Sequence, residues 1–174
     1  MITIERPEAA EYAPFYAGYV SRVPEADILA AMAAQPAQLA AVAGRVAAER
    51  IDHRYAPDKW SVREIFGHLI DGDRVFGYRL FCVARGESHA LPGFDENAYV
   101  KAGRPTLDRL PALVAEFAAV RETSLITARR LDAEAWARTG TANGTPISAR
   151  ALAFIMVGHV RHHLAVLAER YGVA

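Results

Sequence analysis

His159 and His163 lie four residues apart. On an α-helix that spacing turns a side chain by only about 40° around the axis, so both imidazoles can reach one point. A neutral imidazole presents a lone pair, and converging lone pairs are the start of a divalent-metal site. The residues around the pair, Phe154, Ile155, Met156, Val157, Val160 and Leu164, are apolar. At least one of the two histidines therefore faces the interior and needs a polar partner or a metal. His68 keeps similar company among Ile65, Leu69 and Phe76 and supplies a third imidazole. Three imidazoles suit zinc or nickel and leave a coordination position for water, whereas structural zinc sites close with four ligands. An ion held that way lowers the pKa of bound water to about 7 or keeps a thiol as thiolate. The competing reading is histidines hydrogen-bonded in the core or simply exposed, and spacing alone does not choose. His162, three residues after His159, competes with His163 for the inward place and is expected at the pocket rim.

Other chemically capable residues stand nearby. Asp71 follows His68 by three residues, so it either orients a ligand or substrate by hydrogen bonding or is a solvated helix charge. Arg79 returns to the face of His68 but about 16 Å further along the axis, which points to a structural role. Trp60, Phe94 and Tyr99 can line a pocket, although aromatic residues beside a bundle more often pack. The single cysteine, Cys82, reads as a buried thiol.

Positioning these groups falls to helices. Apolar residues recur at three- and four-residue spacing through four long segments, and strand-like alternation is scarce. The first segment spans about residues 25–50, with Pro24 suited to its first turn and Pro36 expected to kink or break it. The second opens at Ser61, where Glu64 completes a capping box and Trp60 with Ile65 forms a hydrophobic staple, and it closes at Gly86. The third covers about residues 107–131 with Pro111 in its early turns, and a short helical piece follows at 132–137. Gly140 to Pro146 reads as a turn-rich connection. Ser148 caps the fourth helix, which Gly172 stops. Residues 1–23, with Tyr12, Phe15, Tyr16 and Tyr19, form either a short helix or an ordered arm, and 24–171 form the bundle.

The connection between the second and third helices, Gly86 to Thr106, is about 20 residues, against roughly 2 to 8 in most bundles. A crossover explains it: a helix of about 24 residues is roughly 36 Å long, which such a linker spans. The bundle then runs up-down-down-up. Registry agrees, because His68 is seven residues after Ser61 and His163 eight before Tyr171. Antiparallel second and fourth helices leave His68 about 5 Å from the level of the histidine pair, and parallel ones roughly 9 Å.

Composition limits the alternatives. The 174 residues suit one domain, and Lys+Arg and Asp+Glu both number 20, so no net field draws in nucleic acid or an anionic membrane. The start, Met1-Ile-Thr-Ile-Glu-Arg-Pro-Glu, lacks the basic and apolar regions of a signal peptide, and no apolar run approaches the roughly 20 residues of a membrane span. A cytoplasmic location is expected.

Two segments resemble a known family. Lys59-Trp-Ser-Val-Arg-Glu-Ile-Phe-Gly-His-Leu-Ile-Asp71 is similar to the W-S-x-x-E-x-x-x-H-L-x-D entry into helix two of the DinB-like (DinB/YfiT) metal-binding bundles. Gly158-His-Val-Arg-His-His-Leu-Ala-Val-Leu167 is similar to their closing G-H-x-x-H-H helix, and Leu91-Pro-Gly-Phe-Asp95 looks like a loop found in part of the family. The resemblance implies His68, His159 and His163 as ligands, an up-down-down-up topology and a homodimer. It also implies a thiol-dependent transferase or isomerase, with a low-molecular-weight thiol as co-substrate, as the leading enzyme hypothesis beside hydrolysis. A non-catalytic, stress-associated bundle that binds a metal or a small molecule is the alternative.

Overall fold

The computed structural model describes residues 4–173, so Met1 to Thr3, where the leader reading begins, and the last residue of the single-domain span 1–174 lie outside the described residues. Four long helices dominate: α2 (Ile28–Ala43), α3 (Val62–Ala84), α5 (Leu110–Ala128) and α7 (Ala149–Tyr171). Shorter helices α1 (Ala17–Val20), α4 (Glu96–Gly103) and α6 (Ala133–Ala137) lie between and before them. α2 and α3 each pack on both α5 and α7. The mostly helical expectation holds, with one addition described below.

Local sequence sets the helix ends. Ser61 Oγ accepts from the Glu64 amide at 3.3 Å, and Glu64 Oε2 accepts from the Ser61 amide at 2.7 Å, the two halves of the capping box. Ser148 Oγ caps α7 by accepting from the Ala151 amide, and Gly172 ends it at φ 64°.

Three expectations are corrected. The first long helix begins at Ile28, because Asp27 Oδ1 accepts from the Ala30 amide and caps it there; Pro24 precedes it, and residues 48–50 form a separate 3₁₀ turn. Pro36 does not break α2. A proline removes the hydrogen bond to the carbonyl four residues back, and that carbonyl, on Met32, instead receives Arg121 Nη1 from α5 at 3.4 Å. The segment read as a turn-rich connection is a hairpin, β1 (Thr139–Ala142) and β2 (Thr145–Ser148), paired antiparallel with Gly140 opposite Ile147. Asn143 and Gly144, at φ 50° and 75°, supply the left-handed pair that a tight two-residue turn requires.

Residues 86–106 are structured as well. Leu91 bridges to Ala142, adding a short backbone contact to β1, and α4 packs on α3. At the other end of the chain, 3₁₀ turns at 9–11 and 14–16 lead into α1, which lies on α7. Both N-terminal readings are thus combined: an arm built of short helical turns. Gly158 permits this approach, since a Cβ there would stand 2.0 Å from the Tyr19 carbonyl oxygen. Glu11 fastens the arm by accepting from Ser148 Oγ and the Arg150 guanidinium.

The core forms two apolar clusters. One takes Ile28 and Met32 from α2, Phe76 to Ala84 from α3, Leu125 and Ala128 from α5, and Ala149 to Val157 from α7. The other takes Leu39, Val62 to Ile70, Leu110 to Phe117, and Val160 to Tyr171. Buried Gln35, Asp73, Arg121 and His159 fall in the gaps between them. α7 is long and apolar enough to cross a membrane by composition, but 67% of its most apolar window is buried inside the bundle. A core helix passes the same test.

Candidate metal centre

α3 and α7 bring the three histidines together. His68, His159 and His163 are all buried, and one ring nitrogen from each lies within 4.8 Å of the others. His68 Nε2 is 2.9 Å from His159 Nε2. Gly72, one turn after His68, makes room for this arrangement, because a Cβ there would meet the His159 ring at 2.8 Å. Trp60 lies over His68 with ring centroids 4.4 Å apart, and Phe76 and Tyr19 each stand edge-on to His159 at 5.5 Å. The three rings are therefore held by packing.

Burial decides their charge. Desolvation pushes His68 down to about 4, and it pushes His159 and His163 well below the ordinary imidazole value, with the neighbouring histidines adding to the effect. All three are neutral near pH 7, the form that donates lone pairs to a metal. His68 Nδ1 is buried without a hydrogen-bond partner, and an unpaired buried polar atom costs about 1–3 kcal/mol. A tetrahedral zinc with bonds of about 2.0–2.1 Å spaces its nitrogens by roughly 3.3 Å. That spacing lies between the 2.9 Å contact and the 4.8 Å limit of the set. The donor set fits a divalent ion.

The histidines open onto a cavity of about 370 Å³ lined also by Phe15, Tyr16, Tyr19, Trp60, Phe76, Arg79, Phe94, Glu96 and Asn143. A larger surface groove of about 490 Å³ runs between α3 and α5, but it contains none of the histidines. His162 is half-buried, 5.4 Å from Tyr19 ring to ring, and outside the three-nitrogen group. Asp71 is half-buried, near Gly103 of α4, and does not line the cavity. Tyr99 borders a neighbouring depression and stacks edge-on with Phe94, and Cys82 is a buried free thiol.

Sequence reasoning set Arg79 aside as remote, yet the structure puts it in the cavity wall. It also missed a buried network beside the site. Arg121 Nε and Nη2 donate to Asp73 Oδ1 at 3.0 and 2.6 Å, Arg121 Nη1 donates to Gln35 Oε1, and Gln35 Nε2 donates to the Val157 carbonyl at 2.8 Å. One network thus ties all four long helices together and fixes the α7 backbone just before His159. Its signal was present: Gln35, Asp73 and Arg121 each interrupt an apolar stripe at the three- and four-residue spacing.

No curated protein matches the chain. Among solved structures, YfiT from Bacillus subtilis superposes with a TM-score of 0.75 at 18% identity, covering 98% of this chain and 95% of that one. It is described as a probable metal-dependent hydrolase with an unusual four-helix bundle topology. A mycothiol-dependent maleylpyruvate isomerase superposes with a TM-score of 0.65 at 13% identity over 84% of this chain, which spans 61% of that protein. At such identities the likeness establishes the fold. The family model of the DinB superfamily matches residues 31–167, and the chain belongs to that superfamily.

Proposed function

We propose that the protein is a cytoplasmic, single-domain metal-dependent enzyme in which His68, His159 and His163 hold a zinc or nickel ion and a nucleophile attacks a small electrophilic substrate. The observation that carries this reading is three buried, neutral imidazoles converging beneath a cavity of about 370 Å³. The nucleophile is a low-molecular-weight thiol or water; the names of the two similar structures support one each. The bound ion would supply an acidified water or a thiolate. The chain supplies the remainder: Trp60 and Phe76 hold the imidazoles in place, the aromatic wall excludes water, and half-buried His162 and exposed Glu96 offer polar contact at the edge of the site.

The same proposal includes helices running up-down-down-up with a crossover between α3 and α5. Its support is the order in which each helix meets the two apolar clusters: α2 and α7 pass from the first to the second, and α3 and α5 from the second to the first. It also includes a homodimer, supported by family membership and by exposed Tyr78 and Phe81 beside the groove between α3 and α5. Its substrate is a small molecule, with no nucleic acid or membrane partner.

Elemental analysis of protein purified without an affinity-tag metal tests the centre. Stoichiometric divalent metal is expected in the wild type and is expected to be lost in His68→Ala and His163→Ala. Retention of full metal by both variants would sink the ligand assignment. Turnover is then read with electrophiles offered alone and with bacillithiol, mycothiol or glutathione. Absence of any metal-dependent conversion above background would replace the enzyme with a binding protein.

A further inference from the structure

Arg79 is 2% exposed, and Nη2 donates to the Pro92 carbonyl at 2.7 Å. Among the described residues no carboxylate lies within ion-pair distance of it, and its other donors have no protein acceptor. Arg121, equally buried, shows what the fold does with a guanidinium it needs for itself: it places Asp73 against it at 2.6 Å. A buried cation without an acid is costly, and only part of that cost is offset here by the rings of Phe76 and Phe94, 5.9 and 6.0 Å from the guanidinium carbon. Arg79 and the three histidines line one cavity, and Phe76 lies against both the guanidinium and His159. Arg79 and Phe94 also border the adjoining depression of about 280 Å³, so they form the partition between two spaces.

We infer that Arg79 is the anion-recognition residue of this site, and that the substrate is a small carboxylic acid with an apolar body. This inference rests on the proposed enzymatic reading and adds the substrate class to it. The carboxylate sits on the planar donor fork of Arg79, the apolar body lies against Tyr16, Phe76 and Phe94, and the electrophilic end reaches the histidines. A carboxylate is preferred to a phosphate dianion because, among the described residues, Arg79 is the one Arg or Lys in the wall, and Glu96 adds a negative charge nearby. The volume of about 370 Å³ restricts the body to a compact group such as an aryl ring with a short chain.

The test compares 3-phenylpropionate with 3-phenylpropionamide by calorimetry, in metal-free and zinc-loaded protein. Metal-free wild type is expected to bind the acid at least about tenfold more tightly than the amide, a difference of about 1.4 kcal/mol. Arg79→Met is expected to abolish the preference, and Arg79→Lys to keep its sign with reduced size. An equal affinity for acid and amide in the wild type, or a preference that survives Arg79→Met, overturns the inference. The wild-type ratio stands even if Arg79→Met does not fold. The metal-free arm separates the two readings: an acid preference in a protein that takes up no metal removes the metal centre alone, whereas metal uptake without the preference removes Arg79 alone.

Discussion

Two buried polar clusters sit side by side at mid-height in the bundle, and they are finished differently. In the Arg121–Asp73–Gln35 cluster the donors are matched to acceptors, and one carbonyl freed by Pro36 is used as well. In the histidine cluster His68 Nδ1 has no partner, two ring nitrogens share a single 2.9 Å contact, and a cavity opens alongside. Both clusters are buried, so burial does not distinguish structure from function. Satisfaction does: a completed network holds the helices, and an incomplete one leaves nitrogens that could hold a metal ion. The two are linked through the Val157 carbonyl, so the first cluster sets the position of the second.

The largest effect expected from breaking this contrast is at Arg121. Arg121→Met leaves the Asp73 carboxylate buried without its cation and is expected to cost about 3–5 kcal/mol. Denaturant unfolding of metal-free protein measures it, and a loss below about 1 kcal/mol would remove the distinction drawn here. A smaller effect is expected at the histidines. His163→Ala should change metal-free stability by about 1 kcal/mol while abolishing metal uptake. A loss as large as that of Arg121→Met would make the imidazoles part of the scaffold.

The smallest effect belongs to a third polar group, the half-buried Glu11 that fastens the arm to α7. Burial raises its pKa, but the hydrogen bonds from Arg150 and Ser148 outweigh that and bring it down to about 2. A carboxyl lowered on folding contributes stability that is fully present above its unfolded value of about 4.5 and is lost as pH falls toward about 2. Glu11→Gln should remove that part of the acid dependence and cost less than about 1 kcal/mol at pH 7, as for surface pairs generally. Identical acid unfolding profiles for the two proteins would show that the contact carries no stability.

The ends of α3 and α7 were legible because they are written in adjacent residues: Ser61 with Glu64, Ser148, and the glycines after each helix. The hairpin was legible too, in Asn143-Gly144, but the surrounding helical periodicity hid it. That Pro36 does not break α2 was beyond a local rule, because the donor that reaches the freed Met32 carbonyl is the distant Arg121. Distance along one helix kept Arg79 out of the three-histidine group, but it says nothing of the loop that folds back over Arg79 at Pro92 and Phe94 or of its place in the cavity wall.

The sequence by itself determined the elements and the residue types: helices with capped ends, three histidines on apolar faces, and charged or amide residues set into apolar stripes. Those are consequences of contacts between near neighbours in the chain. Which polar residue meets which was decided only by the tertiary structure. Asp73 and Arg121 are separated by 48 residues, and His68 and His159 by 91. Pairings at that range depend on how four helices share one core, so identical intrusions into apolar stripes become a closed ion pair in one place and an open set of imidazoles in the other.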